Sequence, residues 1–270
     1  MSIGHEIASQ PECWRRAAAT TVAGLPRPGE CVAVAGCGTS LYMAQAYAAL
    51  REATGQGETD AFPASEFPLG RRYDRVVAIT RSGTTTEVLE LLERVAAPTV
   101  TVSAEALAFA DEESVVQTRF ATSALALLRA SLGEGLGAAI AGAEAALTAP
   151  LPSGRSQFTF LGSGWTVGLV NEAALKLREA ALAWAESYPA MEYRHGPIAI
   201  ADERSLVWLL CPAPEGLVAE IAATGALVVQ ADGDPMAELV RIQRFAVALA
   251  RERGLDPNRP RHLSRSVVLR

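Results

Sequence analysis

The sequence predicts an α/β fold of two tandem units, each a parallel sheet flanked by helices in three layers. Three observations carry that prediction. Short β-branched apolar runs alternate with helical patterns, and such alternation builds a parallel sheet covered on both faces. Each half opens with a strand that stops at a glycine, Gly36 and Gly162, ahead of a glycine-rich turn and a helix. The order strand, turn, helix, strand, helix, strand then runs twice, which reads as an internal duplication.

Taken along the chain, residues 5–24 have the pattern of an opening helix. CVAVAG at 31–36 is a continuous apolar run, as expected of a strand buried on both faces. A helix is expected from about 40 to 54, strands at 75–80 and 98–103, and a helix between them at 85–96. An Ala- and Leu-rich helical stretch fills 121–148, and LPSGR at 151–155 reads as a linker. After it come a strand at 157–162, a long helical pattern, strands at 205–211 and 226–231, and a helix at 235–252. The expected units are 1–150 and 151–270, the second including the C-terminal tail.

Composition narrows the function. Half of the 270 residues are apolar and one fifth are charged, enough to bury a full core. A net charge of −6 argues against a broad grip on nucleic acid or on an anionic membrane. The apolar runs fall short of the ~20 residues that span a bilayer. The N-terminus has no basic-then-apolar leader, which argues against a secretory signal. Cys13, Cys31, Cys37 and Cys211 show neither CxxC pairing nor a histidine at ligand spacing. They read as reduced thiols of a cytoplasmic protein and not as a metal site.

Four motifs carry chemistry. Gly36-Cys37-Gly38-Thr39-Ser40 joins a strand to a helix, but Leu41 stands where a dinucleotide fold wants a third glycine. A capped helix start explains this motif as well as a ligand does. Thr80-Arg81-Ser82-Gly83-Thr84-Thr85-Thr86-Glu87 lies at the C-terminal end of a parallel strand, where open α/β sheets bind ligands. Its hydroxyls exceed what one helix cap requires, and a helix N-terminus there favours a phosphate. No GxxxxGK[ST] is present, so a small phosphomonoester fits better than a nucleotide. The matching turn of the second half, Pro212-Ala213-Pro214-Glu215-Gly216, has no hydroxyl cluster, so only one half should bind phosphate.

Glu172, Lys176 and Glu179 are spaced to share one helix face. They form either an exposed ladder of weak ion pairs or, on a largely buried helix near Trp184, a functional set. His195, in Glu192-Tyr193-Arg194-His195-Gly196-Pro197, is the only mid-chain histidine. A lone histidine is often structural, but this one sits in a loop just after that helix.

These residues resemble the sugar isomerase (SIS) family, which includes the isomerase part of glucosamine-6-phosphate synthase and related sugar-phosphate isomerases and deaminases. The resemblance rests on Cys37–Ser40, Thr80–Thr85, Glu172–Glu179, Arg194–Pro197 and the tail Pro260–Val267, in that order along the chain. It implies two tandem SIS-type units with no metal or organic cofactor. Gly38, Thr39 and Ser40, with Ser82 and Thr85, would hold a sugar phosphate on a loop shaped by Thr80 and Gly83. Gln117 and Thr118 would touch sugar hydroxyls. His195 would open the ring, and Glu179 would move a proton between C1 and C2. Lys176 would sit beside Glu179, and Glu172 would support the open chain. The resemblance further implies a homodimer in which the His-Gly-Pro loop completes the neighbouring subunit's site.

Three departures qualify it. No glutaminase part is expected, since the sequence shows no N-terminal cysteine and no room for that domain. Arg81 and Thr84 stand where the synthase has glutamine- and glutamate-type residues. Arg265 replaces the tail lysine that forms a Schiff base, and a guanidinium cannot act as that nucleophile. The expected role of Arg265 is fixed positive charge from a tail that closes over the site. The leading reading is a phosphosugar isomerase or deaminase. A non-catalytic phosphosugar sensor is one alternative, though no helix-turn-helix fits ahead of the first unit. A fructosamine 6-phosphate deglycase, with Arg265 or Arg194 on the substrate carboxylate, is the other.

Overall fold

The computed structural model describes residues 2–269. Strand β1 (Val32–Gly36) is buried at every position, because VAVAG offers apolar side chains to both faces of a sheet. It pairs in parallel with β2 (Thr59–Pro63) on one side and β3 (Arg75–Thr80) on the other. β4 (Thr99–Ser103) adds to β3, giving the order β2-β1-β3-β4. The register sets Val34 between Ala61 and Val77. Helices α3 (Thr39–Ala53) and α4 (Thr86–Arg94) follow β1 and β3. Two short helices, α1 (Ile3–Ala8) and α2 (Gln10–Ala18), and a later one, α5 (Arg119–Ser131), complete this unit. Trp14 locks α2 to α5 by donating from Nε1 to Thr122 Oγ1 at 2.9 Å.

The second sheet repeats the plan. β5 (Gln157–Gly162) pairs in parallel with β6 (Ala185–Pro189) and β7 (Ser205–Leu209), and β8 (Leu227–Gln230) adds to β7. The order is β6-β5-β7-β8. Helices α6 (Gly137–Ala146), α7 (Thr166–Ala181), α8 (Leu217–Ala223) and α9 (Pro235–Glu252) flank it. Both sheets are therefore parallel and four-stranded, with one topology. Leu161, Val207, Leu209, Leu217 and Ile221 form one part of the second unit's core. Ala33, Ala35, Val76, Ala78, Val88 and Leu91 play that role in the first.

The elements depart from expectation at identifiable residues. The opening helix is two helices, because Ser9 ends α1 and Pro11 starts α2, where a missing N–H costs nothing. The 121–148 stretch breaks at Gly133, whose φ of +86° is left-handed, and yields α5 and α6. α6 packs on α9 so closely that a Cβ at Gly142 would lie 3.1 Å from that of Ala237. The compact units consequently divide at Leu136/Gly137 and not near 150. The tail after Arg261 belongs to the first unit, whereas the expected boundary put it in the second.

Candidate active site

The loop after β3 is shaped by what ends the strand and starts α4. Thr80 closes β3 and is buried, and Gly83 takes a left-handed φ of +66°. Thr85 sits at the N-cap in extended backbone, yet its hydroxyl makes no cap bond to the helix. The hydroxyls turn to the tail instead. Ser82 and Thr84 each donate to Ser266 Oγ at 3.0 Å, and Thr85 Oγ1 lies 3.4 Å from the same atom. Thr86 N–H, at the start of α4, donates to the Val267 carbonyl at 3.1 Å.

The loop after β1 is set by close approach. A Cβ on Gly36 would lie 2.7 Å from the Ser40 carbonyl carbon, so only glycine fits. Gly38, at φ +54°, turns the chain into α3, and Thr39 and Ser40 are buried beneath. The second unit copies this backbone. A Cβ on Gly162 would lie 2.7 Å from the Thr166 carbonyl oxygen, and Gly164 also has φ +54°.

Beneath the β3 loop lies a buried charged floor. Arg81 is buried and donates to the carbonyls of Ser114 at 2.8 Å and Arg265 at 2.6 Å. Its guanidinium also faces Glu112 at 3.7 Å. Burial pushes Glu112 up to about 7, against the pull of the Thr118 N–H, Arg81 and the Thr118 hydroxyl. Thr118 is spent here, since both its N–H and its hydroxyl donate to Glu112. Gln117 differs: its Oε1 is buried and has no hydrogen-bond partner among the described residues. Arg265 donates to the Glu112 carbonyl at 2.6 Å and to Asp111 Oδ1 at 2.7 Å.

In the second unit, α7 presents Glu172, Lys176 and Glu179 on one face, as their spacing requires. Lys176 is 1% exposed, with its Nζ 3.3 Å from Glu172 Oε1 and donating to Glu179 Oε2. This is a buried cluster and not a surface ladder. Burial works to lower the lysine's pKa, but the two carboxylates outweigh it and the net shift is upward. Glu179 keeps 18% of its side chain open to solvent, so it is the member a ligand can reach. Trp184 supplies no apolar wall: it lies beyond the helix and is 81% exposed.

His195 stands exposed in a turn where its own N–H donates to the Glu192 carbonyl at 2.9 Å. Gly196, at φ +127°, and Pro197 then redirect the chain. Arg194 points away to Glu220 on α8, with contacts of 2.7 and 2.8 Å. Among the described residues, no group of three or more His, Cys, Asp or Glu is arranged to hold a metal ion. No described helix is long and apolar enough to cross a membrane.

No family model matches the chain. In sequence it is 33% identical over 145 residues to glutamine–fructose-6-phosphate aminotransferase (isomerizing) of Tropheryma whipplei, covering 41% of this chain and 23% of that protein. The match thus spans less than a quarter of the curated relatives' length. In structure it superposes on glucosamine-6-phosphate deaminase from Thermotoga maritima with a TM-score of 0.77. That match has 26% identity and covers 98% of this chain and 99% of the other. The resemblance to the sugar isomerase family holds. Tagatose-6-phosphate ketose/aldose isomerase from Escherichia coli shares the fold, with a TM-score of 0.76, 17% identity and coverage of 98% and 95%.

Against that sugar isomerase background, sequence reasoning missed Asp111, Glu112 and Ser266. Asp111-Glu112-Glu113 looks like an exposed acidic turn, and no local pattern marks its middle member as buried. Ser266 carried one signal, its place in the tail motif.

Proposed function

We propose that the chain binds a hexose or amino sugar 6-phosphate and catalyses aldose–ketose isomerisation or deamination by proton transfer between C1 and C2. The observation that carries this reading is the α7 cluster, a buried ammonium between two carboxylates with Glu179 facing solvent. An ammonium held in contact fixes the orientation of the Glu179 carboxyl, as a general base requires. The reading is supported by the glucosamine-6-phosphate deaminase match over nearly the whole chain.

In this mechanism Ser82, Thr84 and Thr85 hold the phosphate with Thr39 and Ser40, and Gln117 Oε1 accepts from a sugar hydroxyl. His195 protonates the ring oxygen while the anomeric hydroxyl loses its proton, and the C1 aldehyde opens. Glu179 takes the C2 proton, the C2–H pair forms the C1=C2 bond, and the aldehyde oxygen takes a proton from solvent. Lys176 positions Glu179 through their contact, and Glu172 holds Lys176 in place. Return of the proton from Glu179 to C1, with the C2 hydroxyl proton lost to solvent, gives the ketose. With a 2-amino sugar, the same return gives a C2 imine, which water hydrolyses to the ketone and ammonia.

Arg265 is assigned a holding role, since its guanidinium already grips Asp111 and Glu112. The pairing of Arg194 with Glu220 speaks against the deglycase reading at that residue. The proposal includes a homodimer: Met191 and Ile200, 52% and 54% exposed, flank the His195 loop and suit an interface.

The test is reaction in D2O with glucose, fructose and glucosamine 6-phosphates, followed by proton NMR and an ammonia assay. The expected result is deuterium at C1 or C2, with ammonia released only from the amino sugar. Absence of exchange with all three sugars would reject the enzyme reading in favour of a sensor. Light scattering on the same samples should give twice the chain mass, and a monomer with full activity would remove the shared-site dimer.

A further inference from the structure

The hydroxyl groups that make the 80–86 loop attractive to a phosphate converge on an atom of this same chain. Ser266 Oγ receives hydrogen bonds from Ser82 and Thr84, both at 3.0 Å, and sits 3.4 Å from Thr85 Oγ1. A phosphate oxygen bound by those three groups would stand at their convergence point. The first free N–H of α4 that such an anion would also use, that of Thr86, is taken by the Val267 carbonyl at 3.1 Å. Leu269 N–H then donates to Thr86 Oγ1 at 2.9 Å, which extends the tail along the helix start.

We propose that residues 264–269 are a built-in competitor for the anion loop, with Ser266 and Val267 filling the donors that a phosphate must claim. This rests on the reading of residues 80–86 as the phosphate site. The tail is held as a displaceable ligand is held. Val267, Val268 and Leu269 are exposed, so apolar burial contributes little to keeping it there. Its anchor is polar: Arg265 grips Asp111 and the Glu112 carbonyl, and Arg81 grips the Arg265 carbonyl. The Arg265–Asp111 pair is two-fifths exposed on both sides, where ion pairs are weak. Arg81, in contrast, is buried in the floor and stays behind when the tail leaves. The loop therefore alternates between two occupants, its own serine and carbonyl or an incoming phosphate. Apparent affinity for phosphate is reduced by the fraction of time the tail is seated.

Calorimetric titration of full-length protein with inorganic phosphate tests this. A tail seated nine-tenths of the time lowers apparent affinity about tenfold, and releasing it restores up to that factor. Ser266→Ala, which removes the hydroxyl acceptor, should tighten phosphate binding several-fold. Ser266→Asp, which offers the loop a carboxylate in place of the hydroxyl, should weaken it about tenfold or more. Equal affinity in the parent and both variants overturns the proposal. Weaker binding in Ser266→Ala also overturns it, because Ser266 would then be a phosphate ligand itself. A Ser82→Ala/Thr85→Val pair tested alongside separates the two ideas. Unchanged phosphate affinity in that pair, or no phosphate binding by the parent and Ser266→Ala alike, means the loop is not the anion site. Loss of binding in the pair with no response at Ser266 rejects only the competitor.

Discussion

The loops after β3 and β7 occupy equivalent places in two sheets of one topology, and they carry opposite chemistry. The first brings Ser82, Thr84 and Thr85 to the start of α4. The second is Cys211-Pro212-Ala213-Pro214-Glu215-Gly216, where prolines remove N–H donors and a glutamate repels anions. The helices after β1 and β5 differ in the other direction. α3 buries Arg51 against neutral acceptors, the Arg27 carbonyl at 2.7 Å and Thr59 Oγ1 at 2.8 Å. α7 buries Lys176 between two carboxylates. A cation among carbonyls is a structural tie; a cation between acids is the arrangement on which the proposed proton transfer rests. The repeated backbone supplies positions; under the proposed function, the side chains give anion binding to the first unit and acid–base work to the second.

Four perturbations probe this division, from the largest expected effect to the smallest. Glu179→Gln keeps the shape of α7 but removes the base, and should cut turnover by about 10²–10⁴. A rate within about threefold of the parent in stopped assays would leave the second unit without an acid–base role. Lys176→Met strands two carboxylates in a buried place and should cost about 3–5 kcal/mol of folding stability, read from urea unfolding. A cost under about 1 kcal/mol would mean that solvent reaches the cluster freely.

Ser82→Ala with Thr85→Val should weaken phosphosugar binding by about 2–4 kcal/mol, the loss of two charge-assisted hydrogen bonds. Glu215→Gln, in the equivalent loop, should leave it unchanged. An equal effect from both loops, measured by calorimetry, would break the asymmetry.

The smallest effect concerns the floor under the first loop. Glu112 keeps its proton up to about 7 when folded, against 4.5 for an ordinary glutamate. Below 4.5 both states are protonated and the group contributes no pH dependence. Between 4.5 and 7 only the unfolded state releases the proton, so stability falls as pH rises, by at most about 3 kcal/mol. Above 7 the contribution is flat again. Thermal unfolding of Glu112→Gln should lack this slope, and identical pH profiles for parent and variant would discard the buried-acid assignment.

Much of the fold was legible because buried parallel strands are written as unbroken apolar runs. β1, β3, β5 and β7 were found within a residue or two. The strands that escaped, β2 and β6, are the sheets' outer strands on that side, Thr59-Asp60-Ala61-Phe62-Pro63 and Ala185-Glu186-Ser187-Tyr188-Pro189. Each pairs on one side only, mixes polar with apolar residues and ends in proline, which an edge tolerates and a central strand does not. Helix spacing likewise predicted the shared face of Glu172, Lys176 and Glu179, because a 3.6-residue period is a local property.

By itself, then, the sequence determined the alternating architecture, the repeat, the hydroxyl-rich loop and the shared face of Glu172, Lys176 and Glu179 on α7. Each follows from neighbours within one turn or one strand. Tertiary structure alone decided that Lys176 is buried while Trp184 is not, and that Glu112 lies under the hydroxyl-rich loop. It also decided that Arg265 grips Asp111 and that Ser266 fills the hydroxyl cluster. These depend on pairs separated by more than 150 residues, such as Arg265–Glu112 and Ser266–Ser82. Burial and long-range pairing are properties of how segments meet, and no local period or motif encodes them.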